Sequence, residues 1–125
     1  MEHIKVDHVD IGEDVSTVIL EKNDEERLLM NVKAGARILV DSDQFAFVYI
    51  LEDTEHFYSL RFEQDCWSAL SEAHQKETAF FAEISENTRL ALVDFNEELA
   101  FLLDNIQGNG NYGEAFEQAV GAVFY

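Results

Sequence analysis

The spacing of hydrophobic residues along the chain predicts both strands and helices. Residues 45–51 form an uncharged run rich in aromatic and β-branched side chains. A short apolar run between acidic, turn-like sequences is typical of a strand buried on both faces. Residues 37–40 and 57–62 are the strands on either side of it. Together the three segments predict an antiparallel meander whose middle strand forms the centre of the core.

The N-terminal segment predicts a β-hairpin with an irregular first strand. Apolar residues occupy even positions up to Val6 and odd positions from Val9 onward. Because strand side chains alternate between two faces, this change of parity predicts a β-bulge near His8. The polar residues 12–14 are a turn, and residues 15–21 are the second strand.

Residues 23–35 fit two kinds of element. Asn23 and Glu26 have the spacing of a helix capping box, and Gly35 suits the position just after a helix. These signals favour a short helix. The alternative is a short strand over residues 27–32, whose apolar residues also fit that element.

The segment after the meander predicts a helix and then a second pair of strands. Asp65 is placed to cap a helix over residues 66–76. Residues 78–84 and 89–93 have the composition of strands, and the segment between them has the composition of a turn.

Two helices are predicted at the end of the chain. Asp94 and Glu97 have the spacing of a capping box for the first, and Gly108 ends it. The apolar residues between 113 and 124 recur on one helical face, which predicts the second helix.

This order of elements predicts an α+β fold. The length of 125 residues predicts a single domain spanning residues 1–125. We expect a mainly antiparallel sheet, built from the N-terminal hairpin and the central meander. About three helices accompany it, the last two forming a C-terminal α-hairpin packed on the sheet.

The charge of the chain narrows the range of partners. There are 26 acidic and 8 basic residues, a net charge of −18, and no Lys or Arg follows Arg89. Such a surface repels nucleic acid and anionic membranes and attracts basic proteins. Solubility, or adaptation to a salty or alkaline habitat, is the simpler explanation. A docking face for a basic protein is the functional one.

Signals for secretion and for chemistry are absent from the sequence. There is no long apolar run and no signal-peptide core, and the one cysteine, Cys66, permits no internal disulfide. We therefore expect a cytoplasmic protein with an inert cysteine. Asp41 and Asp43 match the start of a calcium loop, but Phe45 occupies the third ligand position. No catalytic residue, metal ligand or cofactor is predicted.

A Gly- and Asn-rich segment follows the first C-terminal helix. It includes the candidate binding residues Asn105, Gly108, Asn109, Asn111, Tyr112 and Gly113. Gly and Asn tolerate positive φ angles and expose backbone N–H groups. The segment is either an elaborate turn with Tyr112 in the core or a recognition loop. Phe101, off the apolar stripe of its helix, either packs on the last helix or is an exposed aromatic anchor.

Several motifs together resemble a known family. They are the run ILVDSDQFAFVY at residues 38–49, the single Trp67 after a strand, and LLDNIQGNGNYG at residues 102–113. From residue 37 to the C-terminus the chain resembles the YjbL-like family of small uncharacterised proteins from Bacillus and Staphylococcus relatives. The resemblance implies a cytoplasmic protein of Gram-positive bacteria and no known activity. It marks residues 40–43 and 105–113 as the most recognisable segments of the family. Trp67 is a further candidate binding residue.

Three functional hypotheses follow. The first is an interaction or regulatory module that holds a basic protein with its acidic face and its Asn/Gly/Tyr loop. The second is an enzyme with a carboxylate or metal-assisted site built from Asp41, Asp43 and the loop at residues 109–112, which must then meet around a pocket. The third is a DNA mimic with regularly spaced carboxylates. Aromatic content and a free edge at the N-terminal hairpin leave homodimerisation open.

Overall fold

A computed structural model describes residues 2–21 and 31–125. In this part of the chain it contains seven strands and three α-helices. The strands are β1 (Glu2–Asp10), β2 (Val15–Leu20), β3 (Lys33–Asp41), β4 (Ala46–Glu52), β5 (Phe57–Glu63), β6 (Ala79–Ser85) and β7 (Thr88–Ala91). The helices are α1 (Trp67–Gln75), α2 (Phe95–Ile106) and α3 (Glu114–Phe124). No helix among the described residues is long and apolar enough to cross a membrane.

All seven strands form one curled sheet in the order β3-β4-β5-β1-β2-β6-β7. The pairs β1/β2, β3/β4, β4/β5 and β6/β7 are antiparallel. β1 pairs with β5 and β2 pairs with β6 in parallel. The predicted α+β fold, with its hairpin, its meander and its helices, is confirmed. The two parallel pairings join segments far apart in the chain, so local periodicity contains no signal for them.

The N-terminal hairpin lies in the middle of the sheet. The register of β1 against β2 shifts between Val6 and His8, which confirms the predicted bulge. The predicted free edge of this hairpin is wrong, because β5 covers β1 and β6 covers β2. The edge strands of the described sheet are β3 and β7, and their Cα atoms approach within 8 Å.

β4 is buried on both faces, as its composition predicts. Residues 46–51 are between 0% and 6% exposed. The strand begins one residue later than predicted, because Phe45 lies in the turn with a φ of 52°. The geometric centre of the sheet is β1 rather than β4, since the hairpin inserts beside β5.

The short helix predicted over residues 23–35 falls largely on residues 22–30, which lie outside the described part of the chain. Its proposed end is wrong, because Gly35 belongs to β3. A Cβ atom on Gly35 would lie 2.8 Å from the carbonyl oxygen of Ile50. Glycine is needed there for the close approach of β3 to β4.

The predicted caps of α1 and α2 are wrong, although both helices form. Asp65 lies inside a 3-10 turn before α1, and its carboxylate lies 2.9 Å from the Lys5 ammonium. Asp94 precedes α2 with a φ of 62°, and its side chain makes no cap hydrogen bond. An N-cap side chain requires an extended backbone at its own residue. Gly108 ends the helical segment with a φ of 73°, as predicted.

Phe95, the first residue of α2, is at the centre of the core. Its ring centroid lies 5.6 Å from that of Tyr49, 5.3 Å from that of Phe62 and 4.3 Å from that of Phe80. These side chains belong to β4, β5 and β6. The start of α2 therefore fills the inside of the curled sheet.

The two aromatic residues of α2 provide a test of this arrangement. Phe95→Ala is expected to lower the free energy of unfolding by about 3–5 kcal/mol, because it leaves a cavity among three strands. Phe101→Ala, the same substitution at an exposed position of the same helix, is expected to change it by less than about 0.5 kcal/mol. Urea unfolding followed by the fluorescence of buried Trp67 measures both. Equal effects would contradict the packing described.

Candidate functional site

The structure separates the residues that the sequence marks as binding candidates. Trp67 is fully buried, and its indole N–H donates to the carbonyl of Phe62 at 2.7 Å. Its ring packs against Phe47 and Phe116. Trp67 is therefore a core residue, and its prediction as a partner-binding residue is wrong.

Asp41 is the last residue of β3 and Asp43 lies in the turn that follows it, and the two differ in their contacts. Asp43 is exposed. The Asp41 carboxylate accepts a hydrogen bond from the Arg61 guanidinium at 2.8 Å and one from the backbone N–H of Gln44 at 3.2 Å. The bond from Arg61, followed by that from Gln44, holds the pKa of Asp41 below its ordinary value. Asp41 thus joins the turn to β5.

The loop between α2 and α3 uses most of its backbone amides internally. The N–H of Gly108 donates to the Glu117 carboxylate at 2.8 Å, and that of Asn111 donates to the Asn109 side chain at 3.0 Å. The N–H groups of Asn109 and Gly113 donate to the carbonyls of Ile106 and Gly110. This geometry favours the interpretation of the segment as an elaborate turn.

Aromatic packing brings this loop to the same end of the molecule as the β3–β4 turn. Half-buried Tyr112 packs on Phe116, with 6.3 Å between ring centroids, and Phe116 packs on Phe45 at 5.7 Å. The Asp41 carboxylate lies on the opposite face of the sheet, since Asp41 pairs with Ala46. The structure therefore does not aim the Asp41 carboxylate at the loop.

The exposed face of α2 combines an exposed aromatic side chain with several carboxylates. Phe101 is 67% exposed. Of its two predicted placements, the exposed one is therefore correct, and the side chain is not packed on the last helix. Asp94, Glu97 and Asp104 are exposed and recur at helical spacing around it. We call these four residues the acidic aromatic face. Asn105, next to it, is also exposed and donates to the carbonyl of Phe101 in its own helix.

Carboxylates on this side of the molecule contribute to the raised pKa values of two tyrosines. Burial, together with the nearby Asp94 and Glu98 carboxylates, raises the pKa of Tyr49 to about 12. Burial, followed by Asp104 and Glu117, also raises the pKa of Tyr125. The Tyr125 hydroxyl donates to the carbonyl of Leu103 on α2. Carboxylates near both ends of α2 therefore help to raise the pKa of a neighbouring tyrosine.

A shallow pocket of about 290 Å³ lies beside the first turn of α2. Its lining residues are Ala79, Phe80, Phe81, Ala91, Leu92, Val93, Asp94, Phe95, Asn96 and Glu97. Sequence reasoning missed this pocket. Val93, the last residue of the strand predicted over residues 89–93, lines the pocket and is 51% exposed.

His3 and Ser59 form a second arrangement that sequence reasoning missed. The Nδ1 atom of His3 lies 2.6 Å from the Ser59 hydroxyl oxygen on the neighbouring parallel strand. Ser59 is fully buried, so its hydroxyl is not accessible to a substrate. This pair is a structural contact between β1 and β5.

Cys66 belongs to the hydrophobic core. The Cys66 thiol is buried and donates to the carbonyl of Glu63 at 3.2 Å. Burial raises its pKa to about 12, which agrees with the predicted inert cysteine. No group of three or more His, Cys, Asp or Glu side chains within residues 2–21 and 31–125 is arranged to hold a metal ion.

The pair of Asp41 and Arg61 predicts a pH-dependent stability. Because the pKa of Asp41 is lowered on folding, the pair stabilises the protein above the ordinary aspartate pKa of 3.8 and is lost as the pH falls through the lower folded value. Asp41→Asn is expected to cost about 1 kcal/mol or less near neutral pH, because water screens a half-exposed pair. In strong acid the difference from wild type should vanish.

Urea unfolding at several pH values measures this effect, with Asp43→Asn as the matched control. Asp43 loses the same charge in the same turn but has no ion pair among the described residues. A pH-independent deficit in Asp41→Asn would show that the ion pair is not its cause.

The loop offers a second matched comparison. Asn109→Ala removes the acceptor for the Asn111 amide and is expected to lower the free energy of unfolding by about 1 kcal/mol. Asn111→Ala removes only an exposed side chain, so a change under about 0.5 kcal/mol is expected. Thermal unfolding of the two variants measures the difference. The reverse order would contradict the turn interpretation.

Comparisons with known proteins place the chain in a family. Residues 4–124 match UPF0738, described as a family of unknown function. A UPF0738 protein of Shouchella clausii is 56% identical over 99% of this chain and 100% of its own length. One of Halalkalibacterium halodurans is 42% identical over 84% of this chain and 83% of its own.

The UPF0738 protein YjbL of Bacillus subtilis is 40% identical over 83% of this chain and 80% of its own length. The family match begins within β1, so it extends the resemblance beyond the motifs from residue 37 onward. No solved structure matches the chain. The chain belongs to UPF0738, a family of unknown function.

Proposed function

We propose that this protein is an interaction module that holds a basic segment of a partner protein against α2. The observation that carries the proposal is Phe101, 67% exposed in the middle of a row of carboxylates. An exposed aromatic residue at the centre of a charged face is typical of a binding anchor. Regulation of the partner would follow from occupying its basic segment.

Helix geometry explains why the carboxylates surround Phe101. Glu97 lies one turn before Phe101, Asp104 one turn after it, and Asp94 one turn before Glu97. In the described part of the chain none of these three carboxylates forms an ion pair. Their charges are therefore available to a partner.

The negative charge of the rest of α2 and of α3 adds to the attraction for a basic partner. No Lys or Arg occurs between residues 90 and 125, so α2 and α3 carry only negative side-chain charge. A field of one sign speeds the encounter with a basic partner, and salt weakens it. Burial of the Phe101 ring against the partner then fixes where on α2 the basic segment binds. Burying a side chain of this size contributes about 1.5–3 kcal/mol.

The proposal is tested with a synthetic peptide of leucine and lysine whose leucines recur at helical spacing. A peptide of the same composition in scrambled order is the control ligand. Phe101→Ala is expected to raise the dissociation constant of the ordered peptide about tenfold, because it removes the anchor. Calorimetry at low and high salt measures the affinity.

The contribution of charge is tested with two double variants of equal net charge. Glu97→Lys with Asp104→Lys is expected to weaken binding strongly. Glu72→Lys with Glu86→Lys changes two exposed carboxylates on other elements and is expected to weaken it only slightly. If both doubles weaken binding equally, or if the scrambled peptide binds as well, bulk charge is the cause and the proposal is wrong.

A further inference from the structure

The pocket beside α2 has apolar walls. Ala79 and Phe81 of β6 line it together with Ala91 of β7, and Val93 contributes a side chain that is 51% exposed. A volume of about 290 Å³ is enough for one apolar side chain but not for a large cofactor. The pocket thus suits a single anchor residue.

The polar groups of the pocket that remain available are acidic. Asp94 and Glu97 are exposed at its rim, and no Lys or Arg lines it. Asn96 also lines it, but its amide group is already used. The Asn96 N–H donates to the carbonyl of Thr78 at 2.7 Å, and its oxygen lies 2.8 Å from the His74 ring nitrogen. An occupant must therefore be apolar with a positive charge beside it.

The floor of the pocket is held by contacts made within the protein. The Tyr49 hydroxyl donates to the carbonyl of Val93 at 2.7 Å, which anchors the link between β7 and α2. Phe95 stacks on Phe80 beneath it, with 4.3 Å between ring centroids. A preformed pocket loses little conformational freedom when it is filled.

The pocket and the acidic aromatic face are continuous. Glu97 and Asp94 belong to both, and Phe101 lies one helical turn beyond Glu97. From Asp94 to Phe101 the helix rises by about 10 Å. One short segment of a partner is long enough to reach both places.

We infer that the partner segment carries two apolar side chains about 10 Å apart, one packing on Phe101 and the other entering the pocket at Val93. A lysine or arginine between them pairs with Glu97. This inference rests on the proposed function and names the chemistry of the partner. The net charge of −18 opposes a second copy of this chain as the occupant.

The test fills the pocket without changing the charge. Ala79 is exposed at the pocket, so Ala79→Phe places a ring in it, whereas Ala122→Phe adds the same ring to an exposed position on α3. With the ordered leucine–lysine peptide, Ala79→Phe is expected to raise the dissociation constant about tenfold. Ala122→Phe is expected to leave it unchanged. Thermal unfolding checks that both variants are folded.

A second readout locates the peptide directly. Intermolecular nuclear Overhauser effects from the leucine methyl groups are expected at both Val93 and Phe101. Effects at Phe101 alone would overturn the inference even if Ala79→Phe destabilises the protein.

The outcomes separate the inference from the proposed function. If Phe101→Ala weakens binding and Ala79→Phe does not, the proposed function stands and the pocket inference is wrong. If only Ala79→Phe weakens it, the peptide binds the pocket without Phe101, and the proposed function and the inference of two anchored side chains are both wrong. If neither variant weakens binding, the proposed function and the pocket inference are both wrong. A wild-type dimer that Ala79→Phe dissociates would assign the pocket to a second copy and overturn the inference.

Discussion

Phe95 fixes the start of α2 against three strands of the sheet. Its ring joins β4, β5 and β6 from inside the curled sheet. Once it is in place, the first turn of α2 contacts the edge strand β3 and the segment that follows β7. The Glu98 carboxylate accepts from the backbone N–H of Ile38 on β3 at 3.3 Å, and Tyr49 binds the carbonyl of Val93. Edges covered in this way do not pair with other chains.

The same packing decides which side of α2 meets the solvent. Phe101 follows Phe95 by six residues, which turns it about 240° around the helix. A helix that buries Phe95, Leu99 and Ile106 must therefore expose Phe101 and the carboxylates near it. The acidic aromatic face is thus a geometric consequence of how the core is filled.

Acidic residues have different roles on the two sides of the molecule. On the face of the sheet that carries Ala46 and Val48, the Arg61 guanidinium reaches across β4 to Asp41 on β3, and the pair stabilises the sheet. With 8 basic residues for 26 acidic ones, few carboxylates can be paired in this way. Those on α2 have no basic neighbour at ion-pair distance among the described residues, a difference that the net charge of the chain does not show.

Features that depend on neighbouring residues were predictable from the sequence. The strands of the meander, the bulge near His8 and the helix end at Gly108 all follow from local periodicity or from the conformational freedom of one residue. Caps at Asp65 and Asp94 failed because a cap needs a backbone angle that tertiary contacts set. The burial of Trp67, the parallel pairing that places His3 beside Ser59, and the pocket at Val93 were decided only by tertiary structure. Each joins segments far apart in the chain, and their contact depends on how the whole core packs, which no local pattern records.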